Sequence, residues 1–115
     1  MDAKVVKSEE FALRIIKLYS YLKDKNEFVM SKQILRSGTS IGANIAESLY
    51  AESPMDMVHK LSIAIKECSE TRYWLNLLNK ADFIDKNLHL SLLKDCEELM
   101  KILTAIINKL KGSRK

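Results

Sequence analysis

Gln33-Ile-Leu-Arg-Ser-Gly-Thr-Ser-Ile-Gly-Ala-Asn-Ile-Ala-Glu47 decides how this chain folds. Its apolar residues recur at helical spacing, yet two of the chain's three glycines, Gly38 and Gly42, sit inside it. A glycine in a helix interior costs roughly 1 kcal/mol relative to alanine, so both need a packing reason. Four residues make about one turn, and the two glycines therefore share a face. At about 100° per residue, Ile34, Leu35, Gly38, Ile41, Gly42, Ile45 and Leu49 form one apolar arc. The arc predicts a core-facing helix that a neighbouring helix approaches closely over the glycines. A phosphate-cradling role would need the glycines in a loop ahead of a helix N-terminus. Here they lie within the helix.

Outward from this segment, three breaks divide the chain. Upstream, Ser8 with Glu9 and Glu10 reads as a helix start, a capping hydroxyl followed by acids at the positive end of the dipole. Phe11, Ile15, Leu18 and Leu22 then repeat at helical spacing until the polar run Lys23-Asp-Lys-Asn-Glu27. Downstream, Ser53-Pro54-Met55-Asp56 places a capping hydroxyl, a proline at the first helical position and an acid three residues after the cap. Met57, Leu61, Ala64, Cys68, Leu75 and Leu78 form the next seam. Residues 81–87 make the third connection, with Asp85 as cap, and Leu88, Leu92, Cys96, Leu99, Leu103, Ile106 and Leu110 step along a last helix. The spacing predicts helices over about 8–25, 31–52, 54–80 and 86–111. Short connections force neighbours to run antiparallel. The expected fold is all-α, an up-down-up-down antiparallel four-helix bundle forming a single domain over 1–115. The marked breaks disfavour a coiled-coil rod.

Composition bounds the function. At 115 residues, 47% hydrophobic and 30% charged, the chain can bury a core without metals or disulfides. No apolar run approaches the ~20 residues that span a bilayer, so no membrane role is expected. Met1-Asp2-Ala3-Lys4-Val5-Val6-Lys7 has no signal-like apolar region. A cytoplasmic protein with Cys68 and Cys96 as reduced thiols follows. The net charge of +4 is mildly basic. Lys109, Lys111, Arg114 and Lys115 close the chain with no acid after Glu98. With Lys4 and Lys7, which such a bundle brings to the same end, they are the candidate nucleic-acid contacts.

The second face of the central helix is unusual. Arg36, Ser40, Asn44 and Glu47 form a polar stripe with Ala43 beside it, where a solvated helix back normally carries long Lys and Glu side chains. On the following helix, Ile63, Glu70, Trp74 and Leu77 lie opposite the core seam. An outward Trp with aliphatic neighbours marks an interface. These faces are expected to meet copies of the chain, with Glu47 and Glu70 pairing Arg36 or Arg72 to fix register. Catalytic chemistry is sparse. His59 and His89 lack companion ligands at metal spacing, no Glu-x-x-His motif supports a di-iron site, and the thiols lie on apolar seams. Neither enzyme activity nor a cofactor or metal is expected.

The Gln33–Glu47 run, with Lys60-Leu-Ser-Ile-Ala-Ile-Lys-Glu67 and Glu70-Thr-Arg-Tyr-Trp-Leu75 in the same order, closely resembles a bacterial four-helix-bundle family. Its members are encoded in intervening sequences of 23S rRNA genes and include the accessory variability determinant of diversity-generating retroelements. The resemblance implies a ring-like homopentamer. For the retroelement branch it also implies a basic surface that binds nucleic acid and a reverse transcriptase. Arg36, Ser40, Asn44, Glu47, Glu70 and Trp74 are then signature positions. Ser48 and Cys68 depart from the pattern, standing where the family often has Gly or Ala and Ala. The expected function is a non-enzymatic homo-oligomeric scaffold that contacts RNA, DNA or a nucleic-acid enzyme through basic surfaces. The alternative is a protein-interaction or regulatory module without nucleic-acid binding.

Overall fold

The computed structural model describes residues 2–112 as four helices: α1 (Ala3–Asp24), α2 (Met30–Ser48), α3 (Pro54–Lys80) and α4 (Lys86–Gly112). Each helix packs on its chain neighbours, and α4 returns to α1, so the four axes stand at the corners of a square. The diagonal backbones are held apart by the core. The bundle measures 50 × 24 × 22 Å.

The starts of the helices follow local chemistry. At α1 the Asp2 carboxylate accepts the Lys4 N–H at 3.1 Å, and the helix begins five residues before the expected Ser8. Ser8 instead lies inside the bundle, its hydroxyl donating to the Val5 carbonyl at 3.1 Å. Val5 packs on the core from this extra turn, which explains the extension. The start of α2 depends on a side chain the helical periodicity does not mark. The buried Glu27 carboxylate accepts the N–H groups of Val29, Met30 and Ser31 at 3.2, 3.1 and 2.6 Å. Ser53 and Asp85 cap α3 and α4 as expected, accepting the N–H of Asp56 at 3.1 Å and of Leu88 at 2.8 Å. Asn26 and Asp82 take φ of 63° and 65° in the turns, the left-handed region that Asn and Asp tolerate best among residues with a Cβ.

Phe11, Ile15, Leu18 and Leu22 meet Ile34, Ile41, Ile45, Leu61, Leu75, Leu78, Leu92, Leu99 and Leu103 in the interior. Two expectations change. α2 ends at Ser48, not near residue 52, and Leu49 leaves the apolar arc for an exposed turn. Ser48 takes the buried position, its hydroxyl donating to the Ile45 carbonyl at 2.6 Å. At the end of α4, Ile107 is buried whereas Ile106 and Leu110 are half-buried.

The two glycines differ. A Cβ on Gly38 would stand 2.8 Å from two side-chain carbons of Ile15, so α1 and α2 close here only around a glycine. A Cβ on Gly42 would meet the Ser8 hydroxyl at an ordinary 3.5 Å.

Candidate functional site

The polar stripe of α2 lies along the α2–α3 seam and is closed by its own chain. The Arg36 guanidinium pairs with Glu67 at 3.1 Å and with Glu70. The Trp74 indole N–H donates to the same Glu70 carboxylate at 3.0 Å. Ser40 donates to the Arg36 carbonyl at 2.6 Å, Asn44 donates to the Ser40 carbonyl at 2.9 Å, and Glu47 pairs with Lys60 at 3.3 Å. The hydrogen bond from Arg36, then that from Trp74, holds the Glu70 carboxyl below its usual range. Glu70 in turn holds the Arg36 proton more firmly. Thus the register that Arg36 and Glu70 set is, in this chain, the register of α2 on α3.

Trp74 is half-buried and packs on the core, unlike the outward Trp expected, and Ile63 and Leu77 are half-buried with it. Its sequence neighbour Tyr73 is the exposed aromatic at 57%, standing edge-on to Trp74 with ring centroids 5.0 Å apart. Beneath the stripe, the hydroxyls of Ser37 and Thr71 meet at 2.9 Å, both fully buried.

A second surface lies on α1. Leu13 and Ile16 are 56% and 45% exposed, on the side away from Phe11, Ile15 and Leu18. On the α1–α2 seam a shallow groove of about 210 Å³ is floored by small residues, among them Ala12, Thr39, Ala43 and Ala46, whereas Leu13 lines the groove on the α1–α4 side. The signal was present in sequence. Leu13 falls outside the core spacing, and an apolar residue there has no bundle partner.

The basic candidates separate into two groups. Lys4 is tied to Asp2 at 2.5 Å, and Lys7 to Glu98 across the α1–α4 seam. The Lys7–Glu98 contact raises the lysine pKa and lowers that of the carboxyl. Arg14 reinforces this seam, with Asp95 at 2.6 Å and the Ser91 hydroxyl at 2.9 Å. Lys109 and Lys111 are exposed at the end of α4, and no acid pairs with them among the described residues. Arg114 and Lys115 lie outside the described residues.

His89 meets the Asn76 side chain at 2.7 Å, and His59 is exposed. Among the described residues, no three His, Cys, Asp or Glu side chains gather as metal ligands. No described helix is long and apolar enough to cross a membrane.

No protein of curated function matches the chain. Among solved structures, it is similar to the crystal structure of a protein of unknown function from the S23 ribosomal protein family of Bacteroides thetaiotaomicron VPI-5482. That protein is 51% identical, with a TM-score of 0.90, over 91% of this chain and 98% of the other. The family model described as 23S rRNA-intervening sequence protein matches residues 3–105. With the bundle, the glycine-bearing α2 and the Arg36–Glu70–Trp74 network in place, the chain belongs to the 23S rRNA-intervening sequence protein family.

Proposed function

We propose that this protein is a non-enzymatic scaffold that assembles as a homo-oligomeric ring, a pentamer by the family resemblance, and contacts RNA, DNA or a nucleic-acid enzyme through basic surfaces. One observation carries the assembly. Apolar side chains are exposed on helices at opposite corners of the square, Leu13 and Ile16 on α1 and Tyr73 on α3, besides Leu90 on α4. A ring needs two different faces on one subunit, each meeting the other face of a neighbour. The Leu13–Ile16 pair on α1 and the exposed Tyr73 on α3 suit that requirement, and the Arg36–Glu67–Glu70 network borders the α3 face as a polar rim. The non-enzymatic reading is supported by the groove of about 390 Å³ along α1, where Lys7, Glu98, Arg14 and Asp95 are consumed in ion pairs.

Lys109 and Lys111 support nucleic-acid contact, because ring symmetry would repeat each of them around one end. Phosphate binding of this kind weakens steeply with salt. The test is binding of a labelled single-stranded RNA and a DNA duplex across a salt series. Binding at low salt that Lys109→Ala/Lys111→Ala weakens is expected. Absence of binding at low salt would contradict it. A specific observation favours the rival protein-interaction module. Lys4 and Lys7 are neutralised within the chain, which leaves fewer free cations than the sequence suggests. Recovery of a protein partner after nuclease treatment would select that reading.

A further inference from the structure

Cys68 on α3 and Cys96 on α4 meet across the seam between these helices. Both thiols are free and fully buried. The Cys96 thiol donates to the Cys68 carbonyl, with Sγ 3.3 Å from the oxygen. One sulfur therefore rests against the backbone of the other residue, and α3 and α4 must approach closely at this level. The neighbouring Cys96 thiol, followed by burial, pushes the Cys68 thiol far above its ordinary value. A protonated thiol is a poor nucleophile and a poor metal ligand, so Cys68 is quiet under reducing conditions. Neither the assembly faces nor the basic end uses it.

We propose that Cys68 and Cys96 are a latent cross-link, forming an intramolecular disulfide that ties α3 to α4 when the protein is exposed to a peroxide. A disulfide needs Cα atoms roughly 4.4–6.8 Å apart with Cβ atoms facing. The Cys96 sulfur, 3.3 Å from the Cys68 carbonyl, sets the two residues side by side at this level of the seam. Hydrogen peroxide is small enough to reach the interior during local opening of the bundle. In the first step a thiol exposed by that opening gives its proton to water, the thiolate sulfur attacks a peroxide oxygen and the O–O bond breaks, leaving a sulfenic acid and a hydroxide that takes up the proton as water. In the second the other sulfur attacks the sulfenic sulfur, the S–O bond breaks and a second water leaves. Two thiols lose two hydrogens and two electrons, and one peroxide becomes two waters. The neighbouring thiol is already in place, so disulfide formation outruns further oxidation of the sulfenic acid.

The cross-link encloses the α3–α4 turn and restrains the unfolded chain. The test is peroxide treatment of the folded protein, followed by non-reducing peptide mapping, thiol counting in denaturant and thermal melting. The expected result is a linked Cys68–Cys96 peptide, a mass lower by two hydrogens and no titratable thiol. The melting temperature should rise by roughly 10 °C and return after reduction. Cys96→Ala, treated alike, should give no linked peptide and no rise. Two thiols surviving the treatment, sulfinic acids in place of the linked peptide, or disulfides formed only between chains would overturn the proposal.

Discussion

Ser37 and Thr71 share a buried hydrogen bond of 2.9 Å between α2 and α3, beneath the ion pairs of the seam. The Thr71 hydroxyl also lies 2.8 Å from the Glu67 carbonyl, so the pair is anchored to the backbone of α3. Apolar packing alone allows one helix to slide against another by a turn at little cost. A hydroxyl pair resists this, because a slip breaks the bond between the helices and leaves each buried hydroxyl only a carbonyl of its own helix, Ile34 for Ser37 and Glu67 for Thr71. Thr71→Val should therefore destabilise the bundle by about 0.5–1.5 kcal/mol, the net contribution of a buried hydrogen bond. Ser37→Ala/Thr71→Val should recover part of the loss. The midpoints of urea unfolding measure both. Equal midpoints for wild type and Thr71→Val would remove the register role.

The two glycines of α2 should behave oppositely. Gly38→Ala forces a Cβ against Ile15 and should cost roughly 1–3 kcal/mol through overpacking. Gly42→Ala enters open contact distance and should be neutral or stabilising by up to about 1 kcal/mol, the helix-propensity gain. Thermal melts of the two variants check this. A larger loss at Gly42 than at Gly38 would contradict the geometry.

Glu27 holds three backbone N–H groups at the start of α2. Glu27→Ala should destabilise by about 1–2 kcal/mol, as other cap losses do. Hydrogen exchange should localise the effect, with protection lost first at Val29, Met30 and Ser31. Uniform loss along all four helices would argue against a cap.

The Arg36–Glu70–Trp74 network predicts an acid-sensitive seam. Glu70 has its folded pKa lowered, first by Arg36 and then by Trp74. Its stabilising contribution is therefore present above the ordinary glutamate value and is lost as pH falls through the lowered one. The Arg36 side chain is 50% exposed and that of Glu70 35%, so solvent screening keeps the effect to about 1 kcal/mol or less. Glu70→Gln should lower the melting temperature near neutrality and make the acid limb of the pH–stability curve shallower. An unchanged acid limb would show that the ion pair contributes nothing to stability.

The bundle itself was legible from spacing. Phe11, Ile15, Leu18 and Leu22 mark a helix with one buried side, and Ser53-Pro54 and Asp85 announce starts that depend on adjacent residues alone. What escaped depends on partners distant in sequence. Glu27 reads as part of a polar turn until its carboxylate is seen folded back onto α2. Arg36 and Glu47 read in sequence as groups for another subunit. Within the chain, helix α3 supplies Glu67 and Glu70 to Arg36 and Lys60 to Glu47, because the α2–α3 seam brings residues 31 to 34 positions apart side by side at Arg36. Leu13 and Ile16 were hidden by the strength of the core pattern around them. Gly38 and Gly42 had the same expected role, and only the position of Ile15 separates them.

The ring is the central claim, and the mass of the protein in solution tests it most directly. Light scattering coupled to size exclusion should give five times the 13.2 kDa of one chain. Leu13→Asp should reduce that mass to a monomer while leaving the helical circular dichroism unchanged. A wild-type mass of 13.2 kDa across the accessible concentration range would contradict the account.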